Sequence, residues 1–366
     1  MQQTAIAAAP PPPGFAGGRA RPRSLDFALF IATVLWFQCS QFLSADAANG
    51  LDRAFDLGSA QPLAQAVLLL FLVVCGLALL RAIERRLAPL RLALGLPRRS
   101  TSRAEWATGA AIGWALALAC VLPMALARAL NIQLWTESRA FLLLGLGLAT
   151  LAVATLANAL AVYGYGFHRL IDATGPVRAT LVLVGLATLN TALTPTADGT
   201  PDGTRILVAL LFSLLLALCW LRTHGLWLLW GLSFAWAAAT AVLFDLPLNG
   251  DNTLGSIVDT RAAGPAWLTG GTYGPAAAAL TILFVLAAVP ILVRVTDDYA
   301  WKYTHPPLVP GGRDVTIAPP AAHVEMEQAA QNAQSSESAQ AFNPASLVQI
   351  QPTTPARAAP PPDTDS

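Results

Sequence analysis

The stretch that decides the fold runs from Asn158 to Pro195 and reads NALAVYGYGFHRLIDATGPVRATLVLVGLATLNTALTP. Two apolar arms flank a short polar elbow, Phe167 to Pro176, which carries His168, Arg169 and Asp172. Gly175 ends one helix and Pro176 opens the next, because glycine is tolerated past a helix end and proline at a helix start. The pattern predicts two neighbouring helices joined by a tight polar turn.

Composition places those arms in a bilayer. The 366 residues are 55% apolar and 12% charged, with a mean hydropathy of +0.54. Soluble chains carry roughly a quarter charged residues, and the deficit comes from long uncharged runs of the kind that span a membrane. The net charge is +1. No basic cluster is interleaved with aromatics, so a nucleic-acid partner is not expected. Cys39, Cys75, Cys120 and Cys219 lie far apart inside apolar runs, without any Cys-x-x-Cys, and read as buried reduced thiols.

In chain order, residues 1–24 form a Pro/Ala/Gly arm with Arg19, Arg21 and Arg23 that offers nothing to bury and is expected to be disordered. The first apolar run is Phe27 to Leu43. Ala45-Asp46-Ala47 after it imitates a signal-peptidase site, but the run is long for a signal peptide and heads a polytopic chain, so an uncleaved span is expected. A polar loop with Asp46, Asp52 and Asp56 leads to a second span, Leu63 to Leu80. The basic loop that follows holds Arg81, Arg85, Arg86, Arg91, Arg98, Arg99 and Arg103, which fits either anionic headgroups or simple positive-inside bias. Further spans are expected at Trp106 to Leu126, from Phe141 towards Ile171, and at Val177 to Leu193, Ile206 to Leu221, Leu226 to Phe244 and Ala276 to Val293. The fourth is long enough to tilt or break, and Gly145, Gly147, Gly164 and Gly166 along it favour close helix contacts. Beyond His305 the chain is Pro-, Ala-, Gln- and Ser-rich. It is expected to be disordered over 296–366, apart from a transient helix between Val324 and Phe342.

The arginines give one orientation. The N-terminal arm, the 81–103 loop, Arg169 with Arg178, Arg222, and Arg294 with Lys302 fall on one side. The acidic-leaning loops 44–61, 195–204 and 245–273 fall on the other. Eight helices with both termini cytosolic, in a multi-pass protein of the cell membrane, follow from the positive-inside rule.

The order of motifs resembles the CAAX-processing and bacteriocin-processing (CPBP, or Abi) intramembrane proteases. Tyr163-Gly164-Tyr165 lies where that family has Arg-Gly-aromatic, so Asn158 and Ala159 occupy the positions of its glutamate pair. Ala187 and Thr191 stand where its second helix has Phe-x-x-x-His. Leu221-Arg222-Thr223, Leu226-Trp227 and Gly231-Leu232-Ser233 are similar to its third motif, with Ser233 at the histidine position and Ala237 at the asparagine position. Leu243 to Pro247 and Gly264 to Pro275 resemble the loop before its last span. The resemblance is strong over 140–293 and weaker back to residue 27. It implies an all-α bundle divided into N-terminal helices, 25–140, and a CPBP-like core, 141–295.

It also implies the family's chemistry, in which a glutamate activates water while histidines and an asparagine position it and stabilise the oxyanion. That chemistry needs a base and donors for the developing charge. Here Asn158, Ala159, Tyr163, Thr191, Ser233 and Ala237 stand at the degenerate positions, and no catalytic residue is assigned. The glutamates, Glu84, Glu105, Glu137, Glu325, Glu327 and Glu337, read as loop or tail residues, and no aspartate is expected inside a span. His168 and His224 fall at helix ends, with His305 and His323 beyond the last span. No metal or cofactor is expected from this set. The polar residues left, with Asn190, suit either a binding pocket or interhelical hydrogen bonds. A serine protease built on Ser233 has no intramembrane base to activate it.

The sequence therefore favours a catalytically silent homologue that binds or scaffolds a membrane-protein or peptide partner in the lipid bilayer. An active peptidase using other residues is the alternative, and a transporter is disfavoured by the uncharged spans. Topology is testable directly: cysteines substituted at Thr196 and Ser256, in a background lacking the native thiols, should label from outside intact cells. Labelling only after permeabilisation would reverse the orientation.

Overall fold

In the computed structural model the described residues are 23–84, 94–97, 99, 101–134, 138–196, 200–251, 254, 258–296 and 328–332. The N-terminal arm up to residue 22, much of the basic loop (Arg85, Arg86, Arg91 and Arg98), Glu137 and nearly all of the tail lie outside them. Residues 23–296 belong to one compact unit that extends over Met1–Thr304. The second unit, His305–Ser366, is described only at 328–332, which is helical and falls within the segment where a transient helix is expected.

The first unit is a bundle of apolar helices: α1 (Arg23–Phe55), α2 (Gln61–Glu84), α3 (Ser102–Leu126), α4 (Ser138–Asn158), α5 (Phe167–Thr174), α6 (Pro176–Leu193), α7 (Asp202–Thr223), α8 (Trp227–Ala237) and α9 (Ala279–Val295). Among the described residues six helical stretches are long and apolar enough to cross a membrane, so the protein is membrane-embedded. The other two expected spans, Trp227–Leu243 and Ala279–Val295, are shorter apolar helices. At 17 residues α9 is about 25 Å long, short of the roughly 30 Å hydrocarbon core.

Several boundaries differ from expectation for local reasons. Asp46 and Asp52 are on α1 rather than in a loop. The segment after Leu43 is alanine-rich and lacks proline, so nothing ends the helix before Phe55. The long fourth span does not break. Between α4 and α5 it widens into a π-helix, Ala159–Gly166, and α8 does the same over Ala238–Leu243. Two strands that the helical reading missed, β1 (Leu130–Leu134) and β2 (Val258–Ala262), pair antiparallel with Leu130 opposite Ala262. Cys39 is exposed and Cys75 half-buried, whereas Cys120 and Cys219 are buried as expected.

Glycine sets the closest helix contacts. A Cβ on Gly109 would strike the Leu228 carbonyl, one on Gly113 the Leu232 carbonyl, and one on Gly231 the Trp106 carbonyl. Backbone therefore rests on backbone along the crossing of α3 with α8, as small residues allow in membranes. Trp36 of α1 lies over Gly76 of α2, where a Cβ would overlap the indole, and its Nε1–H donates to the Leu72 carbonyl at 2.9 Å. Gly145 has nothing within 4 Å of a Cβ, so it makes no close contact despite its place in the long fourth span.

Paired substitutions separate these two kinds of glycine. Gly145→Ala should raise stability by up to about 1 kcal/mol through helix propensity alone. Gly109→Ala should lower it by about 1–3 kcal/mol, since the obstacle is backbone. Thermal unfolding in one detergent measures both, and equal signs would contradict the crossing.

Candidate functional site

The six positions implied by the resemblance do not form one polar site. Asn158 is exposed at the end of α4, while Ala159, the next residue, is buried in the first π-turn. Tyr163 is buried in the main core and meets the Phe167 ring at 6.4 Å, edge to face. Ala237 belongs to a separate apolar cluster with Leu151, Ala238, Ala241 and Val242. Thr191 and Ser233 turn their hydroxyls back on their own helices: Thr191 Oγ1 donates to the Ala187 carbonyl at 3.1 Å, and Ser233 Oγ to the Leu229 carbonyl at 2.9 Å. Among the described residues no side-chain hydrogen bond joins any two of the six, and Asn190 is exposed. No three His, Cys, Asp or Glu side chains among the described residues are grouped so as to hold a metal ion.

The tryptophans of the third motif hold backbone rather than line a site. Trp227 Nε1–H donates to the Pro97 carbonyl at 3.0 Å, and Trp230 Nε1–H to the Ala152 carbonyl at 3.1 Å. Trp236 is buried, and Trp267, in the loop before α9, is exposed.

Buried charge is gathered at the ends of the helices. Glu105 is in the first turn of α3 and is 0% exposed. Its Oε1 accepts from Thr101 Oγ1 at 2.8 Å and lies 3.9 Å from Arg99 Nη1. Asp26, in the first turn of α1 and also buried, lies 3.6 Å from Arg169 Nη1. Arg169 is 2% exposed; it reaches Asp172 at 3.3 Å and lies over the Tyr165 ring at 5.0 Å from the centroid. These carboxylates correct the expectation that every glutamate sits in a loop or tail and that no aspartate enters a span. Each is buried because a cation from another segment meets it at the same end of the bundle.

A strap closes that end. Gly95, at φ +73°, offers its carbonyl to the Leu226 N–H at 2.9 Å, and the Leu94 carbonyl rests on Gly164, where a Cβ would come within 2.6 Å. Arg99 Nη1 donates to the Thr223 carbonyl at 2.7 Å. Next to it, His168 and His224 flank Trp220, with ring centroids 5.9 Å and 5.4 Å away. His168 Nε2 is 3.8 Å from Asp172. His224, in the left-handed conformation that ends α7, has its pKa lowered by burial first and then by Arg99 and His168.

At the opposite end Arg205, 3% exposed, donates to the Thr191 carbonyl at 2.7 Å and the Thr194 carbonyl at 3.2 Å. It thereby caps the last turn of α6, where cations are favoured. Asp202 lies 3.1 Å from Arg205, and Tyr273 lies beneath its guanidinium. The spacing Asp202-x-x-Arg205 at a helix start was the available signal.

Comparisons with protein-family models, with curated proteins and with solved structures find no match to this chain.

Among the described residues this geometry holds helix ends together. It also makes the arginine-bearing end sensitive to acid. Because the folded pKa of His224 lies below its ordinary 6.5, the unfolded chain takes up the proton more readily. Stability is then full above about 6.5 and is lost as pH falls through the lowered value. Melting temperature in detergent should drop on acidification, and His224→Asn, which tolerates the left-handed backbone, should flatten the drop. Superimposable pH profiles for the two proteins would rule His224 out.

Proposed function

We propose that this chain is a catalytically silent homologue of the CPBP intramembrane proteases. In this reading it has eight spans, both termini are cytosolic, and it binds or scaffolds a partner within the membrane. The observation that carries the reading is Asn158. It occupies the position of the family's glutamate, near the middle of the helical stretch Ala140–Thr174, and its amide is exposed. An amide without a partner in apolar surroundings costs about 1–3 kcal/mol, and one interhelical hydrogen bond recovers about 0.6 and seldom more than 2. A polar group of a bound protein or peptide meets that need. The back-bonded hydroxyls of Thr191 and Ser233, and the apolar packing of Ala237, support a site that has lost its chemistry.

Two measurements test this, the first in nanodiscs and the second in native membranes. A fluorogenic peptide library should show no turnover above background. Turnover that survives stringent purification and vanishes in Asn158→Ala or Ser233→Ala would make the chain a peptidase. A photoreactive residue at position 158 should give adducts in native membranes that the same residue at Leu181, an exposed position on α6, does not. Identical adducts from both positions would remove the case for a binding surface at Asn158.

A further inference from the structure

A groove of about 460 Å³ runs between α3 and α9. Its floor is formed by Leu116 and Ala288, and its walls by Ala111, Ala115, Ala287 and Ile291. Three features define what it fits. First, the lining is almost wholly apolar, with Thr108 its single polar side chain. Second, on α3 the lining runs from Thr108 to Ala119, which is roughly 16 Å of helix. That is half of a hydrocarbon core of roughly 30 Å. Below it Leu122, Leu126 and Leu283 project from the same two helices. A partner helix would need a track across the whole bilayer, whereas an acyl chain needs one leaflet.

Third, one end of the lining, at Thr108 of α3 and Val295 of α9, is at the arginine-bearing side. The start of α3 meets the end of α7 through Arg99 and Thr223. The end of α7 meets the end of α9 through Arg222, which donates to the Thr296 hydroxyl at 3.1 Å and the Val293 carbonyl at 2.9 Å. Arg294 is exposed there, seven residues beyond Ala287 and so two turns above it on the same face.

We infer that this groove is a lipid site. One acyl chain of an anionic phospholipid lies along α3 and α9, and its phosphate is at Arg294. The inference does not rest on the family resemblance; it requires only that the bundle is embedded in a membrane.

Full-length protein in mild detergent, incubated with phosphatidylglycerol or phosphatidylcholine of identical chains, reads the site by native mass spectrometry. The unmodified protein should retain phosphatidylglycerol about fivefold better, the preference expected of one arginine near the surface. Arg294→Gln should abolish that preference while keeping a bound chain. Ala115→Phe should expel both lipids, and Ala287→Phe on the facing wall repeats the test if the first variant is poorly folded. Full lipid retention in both phenylalanine variants would overturn the inference. So would a dimer peak that either variant abolishes, because the groove would then hold a second copy of the chain.

Discussion

Everything near the middle of the bundle depends on the distance between α3 and α8. Gly109, Gly113 and Gly231 let two backbones touch at three carbonyls, and no side chain larger than hydrogen fits at those points. In hydrocarbon, packing contact takes the place of the hydrophobic drive that holds soluble helices together. Around this crossing the larger groups find their places. Trp106 stacks on Phe234 at 6.0 Å and meets Trp230 at 5.9 Å edge-on, and Trp230 in turn reaches α4 through the Ala152 carbonyl. The crossing also fixes α3 for its outer face, where α9 lies across the groove.

The charged groups serve the ends of the helices rather than their middles. Asp26 with Arg169 joins segments far apart in sequence, Arg99 pairs with the nearby Glu105 while reaching the distant Thr223 carbonyl, and Arg205 closes the last turn of α6. Burial makes such pairs costly to break, by about 3–5 kcal/mol when one partner is removed. They are therefore better understood as fasteners that fix which helices end together than as net sources of stability. The same end carries His168 and His224 on either side of Trp220, so fastening and protonation meet there.

How much of this was legible in the sequence depends on the residue. Length and uncharged runs were enough for the helices, because a bilayer leaves the backbone few alternatives. The turn at Gly175-Pro176 was placed correctly between α5 and α6. Gly109-Ala-Ala-Ile-Gly113 is visible as a small-residue repeat, but close contacts were expected only of the glycines in the fourth span, where the expectation holds in part. Only Gly164 and Gly166 there have near neighbours among the glycines whose surroundings are described. The pairing of Asp26 with Arg169 was not legible, since 143 positions separate them and each alone reads as a solvated helix end. The π-helical widenings and the β1–β2 pair depend on contacts that no local pattern encodes. For the candidate site, the sequence supplied six positions through a resemblance. It did not indicate that Asn158 and Ala159, adjacent in the chain, differ so sharply in exposure.

The glycine crossing also has a consequence in time. Gly231 is made some 120 residues after Gly109, which at about 5–20 residues per second is a delay of roughly 6–24 s. Throughout that interval α3 has been synthesised, but its glycine face has no α8 to receive it. A bare small-residue face is open to any other helix in the membrane, so the helix must either remain sheltered or make contacts that later dissolve. Assembly of the bundle is thus gated by the arrival of its penultimate apolar helix, however early the first spans enter the bilayer.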